Sequence, residues 1–258
     1  NNFKSSKFIQ SNYDDDKKNI IGKYKEMGFR DAKITKDTMY DFDEKSIILE
    51  LTVDEGRQYF IRNIKWVGNT KFSTYTLKQI VSIDKGEIYN PTLIEQRLFM
   101  DPNGKDVSSM YMDDGYLFFQ VTPVEVFVQN DSVDLEIRIY EGRQARINNV
   151  EARGNTKTND HVVYRAIRTL PGNLFSRSDI MRSQRELSIL GYFDPQAMNV
   201  VPKPNPENAT VDMEYTVAEK PSDQIELSGG WGGGRVVGSV GIRFTNFSLK
   251  NVFNFKEW

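Results

Sequence analysis

Three stretches of this chain carry residue types that could do chemistry. Asp14-Asp15-Asp16 offers carboxylates for a metal ion, but consecutive carboxylates at a helix start point in different directions, so we interpret the triplet as a solvated helix cap. His161 is the only histidine, and the chain has no cysteine to act beside it. Gly232-Gly233-Gly234-Arg235 lacks the Lys-Ser/Thr ending of a phosphate-binding loop, and a hairpin turn fits it better. We therefore predict no catalytic residue, no metal, no cofactor and no small-molecule substrate.

The composition narrows the class of protein further. The 258 residues include 34 basic and 36 acidic side chains, a balance that argues against nucleic acid as a partner. The absence of cysteine excludes disulfides and thiolate metal sites. No apolar run approaches the roughly 18 residues that a spanning helix needs. Function must then come from how the folding units are arranged.

An internal repeat organises the chain. Glu55-Gly56-Arg57-Gln58 recurs as Glu141-Gly142-Arg143-Gln144, and Gly68-Asn69-Thr70-Lys71 recurs as Gly154-Asn155-Thr156-Lys157; 141 − 55 and 154 − 68 both give 86. A Gly-aromatic pair at 28, 115 and 191 follows an amphipathic run each time. An equal shift at two turns indicates a tandem array of one folding unit.

Hydrophobic periodicity assigns elements to three units. The first has a helix starting at Asp14 and ending at Gly28, then strands over 30–37 and 45–54, and we expect its opening half to lie upstream of Asn1. The second has a strand over 59–67, a helix over 73–81, a helix from Pro91 interrupted at 101–104 and resumed over 107–113, and strands over 116–128 and 132–140. The third has a strand over 145–152, helices over 160–169 and 178–190, a strand over 191–202, a proline loop over 202–206 and a strand over 209–217. Each complete unit is therefore predicted to be a three-stranded mixed sheet with two helices on one face, its first and third strands parallel neighbours.

The pattern changes after residue 221. Apolar and polar or small residues alternate over 225–231 and 236–244, and the glycine content rises. Such segments of about ten residues are typical of outer-membrane barrel strands. We interpret the tail as the first two strands of a larger barrel.

Together, the repeated strand-helix-helix-strand-strand units, the Gly-Asn-Thr turns at 68 and 154, the Gly-aromatic strand openings and the glycine-rich tail resemble a known family, the POTRA-domain outer-membrane β-barrel assembly factors. The resemblance implies an α+β fold: tandem POTRA domains (β-α-α-β-β) followed by the first strands of an outer-membrane β-barrel. The implied domains are a partial POTRA over 1–56, a POTRA over 57–142, a barrel-proximal POTRA over 143–221 and the truncated barrel over 222–258. The 101–105 insertion departs from the family pattern.

The resemblance also implies a function without enzymatic activity. It is that of the core subunit of the outer-membrane protein assembly complex, in the Gram-negative outer membrane with its POTRA units in the periplasm. The expected partners are assembly lipoproteins and unfolded outer-membrane proteins, with the membrane itself reached through the barrel. The alternative is a polypeptide transporter of the same superfamily, in two-partner secretion or import. Assembly factors typically carry five units and secretion pores two, and at least three units here favour assembly.

Within such units the second strand pairs on one side only, so its free edge could recruit a client strand by β-augmentation. In the second unit we expect Leu117, Phe119 and Val121 to stand in a row on this edge. The competing interpretation is that Pro123, and Pro195 with Pro202 in the third unit, guard the edges against aggregation.

Two further sites follow from the resemblance. Arg165 and Arg168 are expected to dock an accessory lipoprotein, although a solvated helix face would place arginines there equally well. The first barrel strand is expected to border a lateral seam that opens to client strands, because its glycines hold it weakly; the alternative is that the glycines relieve crowding. The seam residues are Ile225, Glu226, Leu227, Ser228, Gly229, Gly230 and Trp231.

Overall fold

The computed structural model describes residues 8–43, 46–220 and 223–244. Its contacts divide the chain into two compact units, one formed by residues 1–111 with 119–142 and the other by 112–118 with 143–258. The tail residues 245–258, which belong to the predicted barrel segment, lie outside the described residues.

The first repeat begins with helix α1 (Gln10–Glu26), which starts before the predicted Asp14. The prediction that the aspartates cap this helix is wrong: Ile9 precedes the first turn without a side-chain cap, and Asp14 and Asp15 instead pair with Lys17 and Lys18 one turn later. The predicted stop at Gly28 is confirmed. This glycine has a φ of +90°, and Phe29 N–H and Gly28 N–H donate to the carbonyls of Tyr24 and Lys25, which is a Schellman ending.

Two antiparallel strands complete the first repeat, β1 (Lys33–Asp43) and β2 (Ser46–Asp54). The hairpin was predicted, but β1 begins three residues later and runs six residues further than expected. Tyr13 of α1 packs onto the hairpin, and its hydroxyl donates to Asp37 at 2.5 Å. The expected alternation in β2 holds at three positions, since Ile47, Leu51 and Val53 are half-buried, whereas Leu49 is exposed.

The second repeat has the predicted order of elements. They are β3 (Phe60–Val67), α2 (Thr74–Val81), α3 (Pro91–Glu95), a π-helical turn (Gln96–Met100), α4 (Val107–Asp113), β4 (Gln120–Gln129) and β5 (Ser132–Tyr140). Ser73 and Asn90 cap α2 and α3 by accepting from Thr76 N–H and Leu93 N–H. The sheet order is β3-β5-β4, with β3 parallel to β5 and β4 antiparallel to it, as predicted.

The core of this repeat lies between the sheet and its helices. Strand β5 alternates as expected, because Val133, Leu135, Ile137 and Ile139 are all buried. Leu77 of α2 is also fully buried within the same unit. One face of the sheet is therefore covered and the other is open.

The third repeat copies this architecture within the second compact unit. Its elements are β6 (Arg146–Arg153), α5 (Asp160–Tyr164), α6 (Arg177–Ile189), β7 (Asn199–Asn205) and β8 (Thr210–Thr216). The order is β6-β8-β7, with β6 parallel to β8. Its core gathers Ile147, Val163, Leu187, Phe193 and Tyr215.

The tail forms an antiparallel hairpin of β9 (Asp223–Gly232) and β10 (Arg235–Phe244). Gly233 and Gly234 form the two-residue turn with positive φ values of 58° and 76°, so the predicted hairpin turn is confirmed. Among the described residues, no helix is both long and apolar enough to cross a membrane.

Candidate functional site

The open edge of the second repeat is β4, which pairs with β5 on one side only among the described residues. The strand begins at Gln120, so the prediction that Leu117 and Phe119 stand on it is wrong, and only Val121 does. Phe119 is 7% exposed and stacks on Tyr111 at 4.2 Å between ring centroids. Leu117 packs against the core of the third repeat, inside the second compact unit. Tertiary packing, which no local pattern reveals, withdraws both side chains from the edge.

Pro123 shows which backbone N–H groups of β4 face away from β5. A strand proline cannot donate to a ladder, so the nitrogen of Pro123 must lie on the unpaired side. Because alternate residues of a strand point their N–H groups to opposite sides, Val121 and Glu125 share this outward set. A bulge follows between Glu125 and Phe127. The edge thus keeps the donors of Val121 and Glu125 and loses the one at Pro123.

The corresponding edge of the third repeat is blocked more completely. Pro202 and Pro204 lie inside β7 rather than in a connecting loop, which corrects the prediction. The sheet tolerates them because their nitrogens face away from β8. Of the outward positions Val200, Pro202 and Pro204, only Val200 retains an N–H group. Strand β7 is therefore guarded, whereas the expected proline guard at Pro195 precedes the strand.

The first repeat carries an edge that the sequence patterns did not single out. Strand β1 has 11 residues, contains no proline and pairs only with β2 among the described residues. Met39, Tyr40 and Phe42 are 49%, 50% and 70% exposed on it. Exposed apolar side chains next to unpaired backbone groups are the features that recruit an added strand. The available signal was the absence of proline over 30–54.

The two arginines predicted to dock a partner differ in their surroundings. Arg168 donates to both carboxylate oxygens of Glu186, at 2.7 and 2.9 Å, so its charge is matched within the repeat. Arg165 is exposed and follows α5 directly. Leu170 and Ile189 are 53% and 75% exposed in the same repeat, so this repeat also exposes apolar surface. His161 is exposed at the start of α5, and among the described residues no three His, Cys, Asp or Glu side chains group to hold a metal.

The predicted seam strand is β9, which pairs only with β10 in the described part of the tail. Leu227 and Trp231 are 76% and 80% exposed, and Ser228 hydrogen-bonds Ser239 across the hairpin at 2.6 Å. Glu226 directly precedes Leu227 on this strand, and Gly229 and Gly230 lie between Ser228 and Trp231. The side chain of Ile225 lies outside the described part.

A carboxylate clamp, absent from the sequence predictions, holds the Gly-Asn-Thr turn of each complete repeat. Glu141 accepts from Thr70 N–H at 2.7 Å, Lys71 N–H at 2.8 Å and the Tyr111 hydroxyl at 2.9 Å. Burial alone would raise the pKa of Glu141, but these hydrogen bonds outweigh it and the pKa lies below its usual value. In the third repeat Glu219 holds the equivalent turn, accepting from Thr156, Lys157 and Thr158. The signal was a glutamate after the closing strand of each repeat.

Comparison with known proteins identifies the family. The profile of the POTRA family, described as a surface antigen variable number repeat, matches residues 59–142 and 145–220. The chain therefore belongs to the POTRA family.

More particularly, the chain is similar to the outer membrane protein assembly factor BamA. The BamA of Neisseria meningitidis is 23% identical over 231 residues, covering 88% of this chain and 28% of the relative. That of Neorickettsia risticii is 26% identical over 218 residues, covering 83% of this chain and 28% of the relative. The crystal structure of Haemophilus influenzae BamA POTRA3-5 matches with a TM-score of 0.66 and 22% identity over 83% of each chain. The chain thus spans little more than a quarter of these curated relatives, and the solved structure supports its fold.

Proposed function

We propose that this chain is the POTRA array of an outer-membrane protein assembly factor, which binds unfolded outer-membrane proteins by β-augmentation and passes them to a barrel. Membership of the POTRA family and the names of the curated relatives support the proposal. It would place the array in the periplasm of a Gram-negative bacterium and requires no enzymatic step. We take 57–142 and 143–221 as the complete units, 1–56 as a partial unit and 222–258 as the barrel start.

The observation that carries this proposal is that the edge strands β1, β4 and β7 differ in how many outward backbone N–H groups they keep. Strand β1 has no proline, β4 keeps the outward N–H groups of Val121 and Glu125, and β7 keeps only that of Val200. An added strand binds through main-chain hydrogen bonds, which tolerate many client sequences. The array would accordingly bind clients on its first two repeats and not on the third.

A matched pair of proline substitutions tests the edge on β4. Val121→Pro removes an outward donor without removing a bond to β5, so the repeat should stay folded while affinity for an unfolded outer-membrane protein segment falls several-fold. Val200→Pro makes the same change on β7, where two of three donors are already missing, and should leave affinity unchanged. Equal affinities of all three proteins would refute client binding on β4.

Docking of an accessory lipoprotein on the third repeat belongs to the same proposal. Arg165 and the exposed apolar side chains of the same repeat, Leu170 and Ile189, are of the kinds found at interfaces. Arg168 would contribute through the geometry of its pair with Glu186, since that pair already matches its charge. The strand β9, from Ile225 to Trp231, would form the seam that takes over the client.

The second candidate is a polypeptide transporter of the same superfamily. Such a pore would recognise one exported polypeptide, so its binding would depend on the side chains of the client. The main-chain character of the open edges favours the assembly factor. Comparable affinity for several unrelated outer-membrane proteins would support assembly, and binding of a single polypeptide would support transport.

A further inference from the structure

The first and second repeats are joined by a compact set of hydrogen bonds within the first compact unit. The carbonyl of Gly28 accepts from Tyr59 N–H at 2.8 Å, and the Gln58 side chain donates to the carbonyl of Met27 at 2.8 Å. The Tyr59 hydroxyl donates to Asp31 at 2.7 Å. The end of α1 is therefore tied to the start of β3.

The same backbone joint recurs in the second compact unit. The carbonyl of Gly115 accepts from Ala145 N–H at 2.7 Å, and the Gln144 side chain donates to the carbonyl of Asp114 at 2.8 Å. The repeated Gln of the Glu-Gly-Arg-Gln motif thus closes the end of the preceding helix in both places. This explains why the motif recurs with the period of the repeat.

The two joints share these hydrogen bonds but differ in the side chains around them. In the first, Arg30 donates to Glu125 of β4 through two nitrogens, at 2.9 and 2.7 Å, and the Tyr89 hydroxyl donates to the other carboxylate oxygen at 2.6 Å. The side chains of Arg30 and Glu125 are only 34% and 29% exposed. Two side chains, Arg30 from the first repeat and Tyr89 from the second, therefore converge on the carboxylate of Glu125.

The counterparts of this ion pair in the second joint are uncharged. Leu117 stands where Arg30 stands, since Gly28 and Gly115 correspond. Pro202 stands where Glu125 stands, since Glu125 pairs with Leu135 and Pro202 pairs with the equivalent Met213. Leu117 packs into an apolar core instead. An ion pair thus supports the joint between the first and second repeats, whereas apolar packing supports the joint between the second and third.

We propose that Arg30, Glu125 and Tyr89 form an electrostatic lock that fixes the orientation of the first repeat against the second. The other hydrogen bonds of the joint lie between the end of α1 and the start of β3, and the lock adds contacts to β4 and to Tyr89. Contacts on separate segments restrict rotation of the first repeat more than contacts on one segment do. The lock uses the side chain of Glu125, whereas the proposed client binding uses its backbone N–H group.

Breaking the lock should loosen the joint rather than unfold either repeat. The buried apolar core of the second repeat makes no use of Arg30, and Glu125 lies on the edge strand. Reversing the charge of Arg30 places a third carboxylate beside Asp31 and Glu125, and these like charges then repel one another. Opening of the joint relieves this repulsion.

Distance distributions between two spin labels test the lock directly, because the chain has no native cysteine. Asp41→Cys in β1 and Gln79→Cys in α2 place labels on exposed positions of the first and second repeats. We expect a narrow distribution in the parent chain, at least a twofold broader one for Arg30→Glu, and recovery of the narrow one when Arg30→Glu is combined with Glu125→Arg.

Lys36→Glu provides the control, since Lys36 pairs with Glu50 at 3.1 Å inside the first repeat. It reverses a charge without touching the joint and should leave the distribution narrow. If Arg30→Glu does not fold, Glu125→Gln keeps the shape of the side chain and should broaden the distribution to a smaller extent. A parent distribution that is already broad, or one that neither Arg30→Glu nor Glu125→Gln broadens, would overturn the lock.

Discussion

Replacing Gly68 with alanine should destabilise the second repeat far more than replacing another glycine with nearly the same backbone conformation. Gly68 has a φ of +91°, and a Cβ built on it would lie 2.0 Å from the carbonyl oxygen of Ile139. Gly86 has a φ of +93°, but a Cβ there meets nothing within 4 Å. Comparing Gly68→Ala with Gly86→Ala therefore separates two contributions to the loss of stability, one from the positive φ and one from the close approach to Ile139.

The magnitudes follow from these distances. Positive φ costs an L-residue roughly 1–2 kcal/mol, and the reduced freedom of the unfolded chain returns about 0.4–1 kcal/mol, so Gly86→Ala should cost about 1 kcal/mol. Gly68→Ala must also move the turn by more than about 1 Å, since a carbon and a carbonyl oxygen approach no closer than about 3.3 Å. That shift breaks bonds from Thr70 and Lys71 to Glu141, each contributing about 1 kcal/mol at an exposed site. A total of roughly 3–5 kcal/mol is expected.

Urea unfolding measures the difference, with Trp66 as the reporter. Trp66 is 8% exposed and lies on β3, two residues before Gly68. Replacing Trp231 and Trp258 with phenylalanine leaves it as the sole tryptophan of the three. A Gly68→Ala midpoint equal to that of Gly86→Ala would refute the close approach between turn and closing strand.

Three other predictions concern the clamp, the docking surface and the seam strand. The folded pKa of Glu141 is lowered, so the clamp stabilises the second repeat above the unfolded value of about 4.3 and is lost as pH falls through the folded value; Glu141→Gln should flatten this acid dependence of the urea midpoint, and an unchanged dependence would contradict it. Arg165→Glu should weaken co-purification of an accessory lipoprotein several-fold while Arg138→Glu, on the open sheet face of the second repeat, should not; equal recovery would count against docking at Arg165. A crosslinkable residue at Glu226 or Ser228 in the intact protein should capture nascent barrel proteins in preference to one at Val236, and equal or absent capture at both strands would argue against the seam.

Much of the fold was predictable because local rules and tertiary packing agree. The turn at Gly68 needs positive φ, the alternation in β5 needs one covered face, and the Gly-aromatic pair at Gly28 ends a helix; each feature leaves a signature in the sequence. The sheet order then follows, since parallel first and third strands leave the second at the edge.

The errors arose where distant contacts override local pattern. Leu117 continues the apolar alternation of β4, yet it packs into the core of the third repeat, so the strand starts later. Pro202 and Pro204 indicated a loop, yet an edge strand accommodates them on its outward side. The start of α1 has no capping side chain to mark it. The Glu141 clamp and the Gln58 joint link residues far apart in sequence, and only the period of the repeat hinted at them.

Amide hydrogen exchange of the chain, with and without a segment of an unfolded outer-membrane protein, tests the central claim most directly. Addition of a client strand should slow exchange along β1 and at the outward N–H groups of Val121 and Glu125 in β4, while β7 exchanges as before. Unchanged exchange on β1 and β4, or equal slowing on β7, would contradict binding of clients at the open edges.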